Sequence, residues 1–536
     1  VNDVYFCSMT TTISREALSS FSTFSSAFGQ DQTPFSAFIQ QPFGSVEDLT
    51  AQAKRKLPTY SSASRKVLTD TIARQLENTL SDAQLRNLEL LREETTTTIT
   101  TGHQLTLFGG PLFLLYKVLH VVKLANTFNE SQNEFKAVPI FWLASEDHDF
   151  EEIQSAQLFN KNLTWESEQK GPVGRFYMTN YDLVLDELKA FFTTKEACEL
   201  LELVKNLPDS DYGTHYQQLM NRLFADFGVL VLQPDDHALK QLFIPVLQRE
   251  ISEQPSFSAV QETNALLQKA GWSPQAQARA CNLFLLDATG RHRIDPSVNG
   301  FTVDGKTYSK EELLQLTEQH PESFSPNVIL RPVYQETILP NLAYIGGGGE
   351  MAYWIQLKGV FEAHQVLYPL IQQRNSLLLV DGATAKRIEK IGWELPRFFE
   401  PKEQLRKAYL LEHDADQLNT EAIQTQFQTL RLSMITKAKE IDVSLESFAE
   451  AETVRMSKQL EVYEQRLLKQ IKQQHEQALK AIDGVCDRFL PGNVLQERAL
   501  HWLNFAPSGD YSGLLSAIEA AIDPFQSDLI VVELKN

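Results

Sequence analysis

Two short β-branched or apolar runs in this chain stop abruptly at polar clusters. Thr97-Thr98-Ile99-Thr100-Thr101 runs into Gly102-His103-Gln104, and Val138-Pro139-Ile140-Phe141-Trp142-Leu143 runs into Ala144-Ser145-Glu146-Asp147-His148-Asp149. The apolar stretch 112–128 between them reads as a helix. Strand, helix and strand make one βαβ unit, and a right-handed crossover puts both strand tips on the same edge of a parallel sheet. Ligands bind in the crevice beyond the carboxyl ends of such strands. The arrangement suits an enzyme better than an adhesive or scaffolding protein.

A chain of 536 residues is too long for one hydrophobic core, so two to four domains are expected. No apolar run reaches the ~18 residues of a membrane span. The chain opens on Val1; Met9 is a candidate start, and 1–9 lacks the basic head and apolar core of a secretory signal. Cys7, Cys198, Cys281 and Cys486 lie far apart with no CxxC pair, so neither a disulfide framework nor a thiolate metal site is expected. A reducing, cytoplasmic location follows. A net charge of −20 argues against a nucleic-acid binder, while leaving room for a local basic pocket.

The pattern predicts an N-terminal arm and the first half of an α/β core over 1–154, with a helical pair at 63–93. A connecting insertion follows at 155–226, then a core strand and helix at 227–249 around Val229-Leu230-Val231-Leu232, and a second insertion at 250–325. The second half of the core, 326–400, contains the strand-like runs 327–330 and 366–369, each followed by an arginine, Arg331 and Arg374. Over 401–485, Ile423, Phe427, Leu430, Met434, Ala438, Ile441, Leu445 and Phe448, then Leu460, Leu467, Ile471, Ala478 and Ile482, mark two long helices with a narrow coiled-coil seam. Pro491-Gly492-Asn493 ends the second, and a tail, 486–536, packs back on the body.

The candidate chemistry lies at the tips. Gly102 lets backbone approach a ligand, with His103 and Gln104 as donors for phosphate or transition-state charge; a plain strand-to-helix turn is the alternative. Glu146-Asp147-His148-Asp149 can hold a metal, orient an amine or supply a general base, or form a solvated acidic loop. Gly346, Gly347, Gly348 and Gly349 run into a helix as an anion cradle, although Glu350 in its first turn fits a cationic group better. Lys117, Lys123, Arg331 and Arg374 are candidate anion contacts. Walker A and GxGxxG signatures are absent. Arg455-Met456-Ser457-Lys458-Gln459 looks like the KMSKS loop of class I aminoacyl-tRNA synthetases, but it falls inside a heptad helix and is read as coincidence.

With these pieces assembled, the chain resembles the bacillithiol-biosynthesis cysteine-adding enzyme family. Thr101-Gly102-His103-Gln104, Leu107-Phe108-Gly109-Gly110-Pro111-Leu112, Tyr116-Lys117, Pro139 to Glu152, Arg331-Pro332, Gln335-Glu336, Gly349-Glu350-Met351-Ala352-Tyr353-Trp354, Leu490-Pro491-Gly492 and Leu495-Gln496-Glu497-Arg498 carry the resemblance. His103 stands where the family usually has glutamine. The resemblance implies a Rossmann-like parallel-sheet core related to class I synthetases, two connecting insertions, and a C-terminal α-helical coiled coil that dimerises. It implies a ligase joining the carboxyl of L-cysteine to the amino group of glucosaminyl malate, with ATP activating the carboxylate. No resident metal is expected, apart from Mg with the nucleotide. His103, Gln104, Asp147 and His148 would be catalytic. Lys117, Glu146, Asp149, Arg331, Glu350, Tyr353 and Arg374 would bind substrates, and Gly102, His103, Gly346, Gly347 and Gly348 the nucleotide. The competing reading is a non-catalytic nucleotide-binding assembly protein dimerised by its coiled coil.

Overall fold

The computed structural model describes residues 10–159, 161–192, 195–205, 210–287 and 290–534, with backbone alone at 195, 196, 198 and 199. Cys7, Met9 and the side chain of Cys198 lie outside the described residues; Cys281 and Cys486 are buried free thiols. The chain divides into two compact units, Val1–Val380 with Val494–Asn536, and Asp381–Asn493.

The first unit is built on five parallel strands, β1 (Thr96–His103), β2 (Lys136–Leu143), β3 (Leu230–Leu232), β4 (Asn341–Gly346) and β5 (Leu370–Gln373), in the order β5-β4-β1-β2-β3. Parallel sheets are buried on both faces, which is why β2 reads as an unbroken apolar run. Along it Val138, Ile140 and Trp142 join Leu68, Ile72, Leu88 and Leu91 of the helical pair in one core. Phe141 and Leu143 point the other way, into a core with Leu112, Leu115 and Leu119 of helix α1 (Leu112–Ser131). Pro139 is tolerated in this interior strand because β3 pairs with β2 only from Ile140 onward.

The N-terminal arm, 10–62, is built of short regular elements. It holds the helices Thr23–Gln30 and Val46–Lys56, capped at Ser22 and Ser45, and its Phe28, Phe35 and Phe38 are core residues. Strand Thr10–Ile13 pairs with Leu529–Glu533, which pairs with Ser376–Val380, so both ends of the first unit share one small sheet. Two strand expectations shift. Residues 327–330 are a turn leading into helix Arg331–Ile338, with Pro332 in its first turn, where a missing N–H costs nothing. The adjacent strand is Phe324–Pro326. The strand expected at 366–369 begins after Pro369, as β5.

The second unit is helical: Gly382–Ile391, Lys402–Leu418, Glu421–Ile441, Glu446–Gln474 and Glu476–Phe489. The first seam helix therefore does not continue to Phe448. It stops at Ile441, where the Asp442 carboxylate accepts the Ser444 amide at 2.7 Å and turns the chain back as a hairpin. The second is interrupted at His475. Leu430, Ile441 and Phe448 of the seam are exposed. Arg455-Met456-Ser457-Lys458-Gln459 lies inside helix Glu446–Gln474. No helix among the described residues is long and apolar enough to cross a membrane.

Candidate active site

β1 and β4 are neighbours, yet the chain leaves β1 through α1 into one core and β4 through the short helix Gly348–Trp354 into the other. That divergence is a topological switch point, where open α/β sheets bind ligands. Here it opens a cavity of about 680 Å³, faced by His103 and Gln104 from β1, Asp147 and His148 from the β2 tip, and Gly349 and Glu350 after β4.

Under the β1 tip, the buried Lys117 Nζ donates to the Gly102 carbonyl at 2.5 Å and to Glu350 Oε2 at 2.8 Å. Oε2 also accepts the Gly347 amide at 2.8 Å, and Oε1 accepts the Tyr344 hydroxyl at 2.6 Å. Burial alone would raise the Glu350 carboxyl, but the charge of Lys117 and these donors bring it down to about 2. The glycine run is therefore closed by its own carboxylate, which takes the Gly347 amide, rather than open to an anion. Gly348 is glycine for space, since a Cβ there would lie 2.7 Å from Ser25 Oγ and 2.8 Å from its Cβ. Gly102 is likewise crowded by Trp142 on β2.

The His103 ring packs on Phe113, and its Nδ1 lies 3.1 Å from the Gln104 carbonyl. A carbonyl only accepts, so Nδ1 carries the proton and Nε2 keeps a lone pair. Burial first, then the charge of Lys117, lowers this imidazole to about 4, so it is neutral at physiological pH. Gln104 Nε2 donates to Asp147 Oδ2 at 2.7 Å and to Glu152 Oε2 at 2.8 Å, leaving its carbonyl oxygen for a ligand. The two residues thus offer acceptors to the cavity in place of the donors expected from the sequence.

Asp147 Oδ1 accepts the amides of His148 at 2.7 Å and Asp149 at 3.3 Å. Burial would raise its carboxyl, but the bonds from His148 and Gln104 and the charge of Arg291 hold it well below the usual carboxylate range. It is an anchoring anion and a weak base. Arg291 Nη1 stands 3.1 Å from His148 Nδ1. A guanidinium only donates, so His148 accepts there and turns an Nε2–H outward.

Glu146 is buried against Lys240 of α2 (His237–Glu253), whose Nζ also donates to the Phe324 carbonyl at 2.6 Å. Asp149 is exposed and lies off the cavity wall. The first insertion clamps this loop from behind. Val173 N donates to Asp147 O at 2.7 Å and Gly174 N to Ser145 O at 2.9 Å, while Arg175 pairs bidentately with Asp235 beyond β3 at 2.7 and 2.8 Å. A Cβ on Gly174 would meet Ser145 Cβ at 2.6 Å and its carbonyl oxygen at 2.8 Å. Gly174→Ala is expected to cost about 1–3 kcal/mol, because the obstacle is backbone that must shift; urea unfolding measures it.

Arg331 lines the cavity, and its hydrogen-bond partners among the described residues are neutral, Gln335 Oε1 at 3.1 Å and the Tyr353 hydroxyl at 3.5 Å. Arg374 meets a carboxylate, but the chain's own: Nη1 and Nη2 donate to Glu497 at 2.9 and 2.7 Å, with both side chains buried. Sequence reading missed Arg279, Arg291, Arg293 and Arg498, all on the cavity wall. Arg279, Arg291 and Arg293 sit in surroundings without a motif, Arg498 ends a run that carries the resemblance but no assigned role, and only folding brings the four to the strand tips. Among the described residues no group of three or more His, Cys, Asp or Glu side chains is placed to hold a metal ion.

Three further histidines are shifted in the same direction as His103. Burial lowers His120 and His215 to about 3 and His501 to about 4, from 6.5. With folded values below the unfolded one, the unfolded chain binds more protons in this window, so their contribution is complete above pH 6.5 and lost as pH falls toward 3. The thermal midpoint is expected to fall steadily below about pH 6.5. A midpoint level from pH 6.5 to 5 would contradict four neutral imidazoles.

Fold and site define a Rossmann-like α/β protein with a ligand crevice at its switch point and a separate helical unit. The family model for the bacillithiol biosynthesis BshC N-terminal Rossmann-like domain matches residues 9–375, and that for the BshC C-terminal coiled-coil domain matches 377–534. The chain belongs to the BshC family. Proteins named "Putative cysteine ligase BshC" are 37% identical in Flavobacterium johnsoniae (86% of this chain, 88% of that one) and 35% in Flavobacterium psychrophilum (87% and 89%). One from Cytophaga hutchinsonii is 34% identical (86% and 87%). A solved Campylobacter jejuni structure whose title names an arginyl-tRNA synthetase aligns with 87% of this chain and 98% of that one at 10% identity, with a TM-score of 0.19, too low to carry any argument.

Proposed function

We propose that the protein is a ligase that joins the carboxyl of L-cysteine to the amino group of glucosaminyl malate, the last step of bacillithiol synthesis. The observation that carries this is the convergence of three strand tips on one cavity whose unneutralised charges are mostly arginines, in a chain that is acidic overall. Cysteine and a malate-bearing sugar both bring carboxylates, and a dicarboxylate acceptor needs such a wall. Amide formation from a free carboxylate is uphill in water, and ATP bound here would activate it. Arg331 and Arg498, which face the cavity without a carboxylate partner among the described residues, would hold its phosphates.

Glu350 Oε1 accepts one hydrogen bond and keeps a lone pair for the cysteine ammonium. His148 Nε2–H donates to charge developing on the reacting carboxyl, and His103 Nε2 accepts from the attacking amine. Asp147 holds Gln104 and the loop amides in place. The exposed seam of the helical unit supports a homodimer, which sedimentation measures directly. The test of function is bacillithiol formation, read by mass spectrometry, in a host that makes glucosaminyl malate but lacks its own cysteine-adding step. Appearance of the thiol with this chain is expected. Its absence with well-folded protein would return the field to a nucleotide-binding assembly protein.

A further inference from the structure

The second wall of the cavity is built outside the parallel sheet. Strand Leu283–Asp287 pairs antiparallel with Gly290–Arg293 and with Phe324–Pro326, setting Phe284 opposite Arg293 on one side and Ser325 on the other. Arg291 and Arg293, two residues apart, share the face that carries Phe284, and all three line the cavity. Arg291 is fixed. It lies 4.0 Å over the Phe284 ring and donates to Ser325 Oγ at 3.2 Å, the Pro326 carbonyl at 2.8 Å and His148 at 3.1 Å.

Arg279 lines the same cavity from a loop held by a buried network. Glu250 Oε1 accepts the Asn282 amide at 3.1 Å and its side-chain Nδ2 at 2.8 Å. Asn282 Oδ1 in turn accepts the Arg279 amide at 3.0 Å and Asn327 Nδ2 at 2.9 Å. The guanidinium groups of Arg279 and Arg293 have no ion-pair or hydrogen-bond partner among the described residues. A rigid frame thus presents two unneutralised forks.

We propose that Arg279 and Arg293 form the subsite that reads the carboxylates of a dicarboxylate-bearing acceptor, and that they set its preference over an uncharged amino sugar. This rests on the ligase reading above. A planar fork pairs bidentately with a carboxylate, which a lysine cannot reproduce. Phosphates fit this wall less well, because Asp295, two residues beyond Arg293, also faces the cavity and would repel a longer polyanion. The wall is joined to the β2 tip through Arg291 and His148, whereas Arg331 stands by Tyr353 on the β4 side. Acceptor and nucleotide therefore approach the reacting carboxyl from different sides.

The test uses the full chain and calorimetric titration with L-malate and, separately, with ATP. Both arginine side chains are exposed and unpartnered, so Arg279→Ala/Arg293→Ala should fold with an unchanged thermal midpoint. Malate affinity is expected to fall about ten-fold or more with ATP affinity unchanged, and Arg293→Lys to fall between. In turnover, KM for glucosaminyl malate rises while kcat is kept. No saturable malate binding by the wild type, malate affinity unmoved in the variants, or loss of ATP affinity instead would each overturn the subsite. If malate binding depends on the arginines while the wild type shows no cysteine-dependent turnover, the subsite stands and the reaction assigned to it falls.

Discussion

Lys117→Met is expected to destabilise the first unit by about 1–3 kcal/mol, because it leaves the half-buried Glu350 without its cation. The methionine fills the space of the lysine stem, so the loss is electrostatic rather than a cavity. Gly102 also loses the donor to its carbonyl, loosening the β1 tip from β4. The pH dependence identifies the cause. In the wild type Glu350 titrates at about 2, below its ordinary 4.5, so its contribution is present above pH 4.5 and lost as pH falls toward 2. In the variant the charge and hydrogen bond of Lys117 no longer oppose burial, so the carboxyl rises from its wild-type position and less of this contribution remains at neutral pH. The difference in thermal midpoint should therefore be largest near neutrality and shrink in acid. Adding Glu350→Gln, which removes the orphaned charge, should restore a large part of the loss, and the double-mutant cycle measures the coupling. Equal midpoints for wild type and Lys117→Met at pH 7 would contradict a stabilising ion pair at the switch point.

The parts of the site legible in the sequence are those made by local signals. β1, α1 and β2 each announce themselves within a few residues, and the crossover rule places their tips together; hence His103, Gln104, Asp147 and His148 reach the cavity as expected. What stayed hidden depends on partners far along the chain. Arg374 reads as an open anion contact until Glu497, 123 residues on, closes its fork. Glu146 reads as part of an acidic loop until Lys240 buries against it. Arg279 and Arg293 sit in a polar insertion with no pattern of their own. The glycine run is different, because a local signal was there. A glutamate three residues after Gly347, in the first turn of a helix, can reach back to that glycine's amide, and in the fold the Glu350 carboxylate takes the amide an anion would have used. In the helical unit, the three- and four-residue steps continue across 442–445, and only the Asp442 turn separates one seam into the two arms of a hairpin.

Asp147→Ala should lower kcat for cysteine addition about a hundred-fold, the scale on which a misplacement of ~1 Å acts. The carboxylate accepts from Gln104 Nε2 and from two loop amides, so its removal frees Gln104 and loosens the turn that presents His148. Asp147→Asn should be no milder, because an amide nitrogen at Oδ2 would face the Gln104 nitrogen, donor against donor. The pH profile distinguishes an anchor from a base. Asp147 is held ionised far below neutrality by His148, Gln104 and Arg291 against the pull of burial, so it carries no proton in the working range. Its loss should drop the whole kcat profile while leaving the acid limb where it was. His148→Ala should likewise lower kcat, and Arg291→Ala should lower it while freeing His148 Nδ1, the atom that the guanidinium now occupies. Were the acid limb to vanish in Asp147→Ala with kcat otherwise kept, Asp147 would be the proton acceptor, and the division of labour between a fixed carboxylate and two histidines of opposite tautomer would have to be reversed.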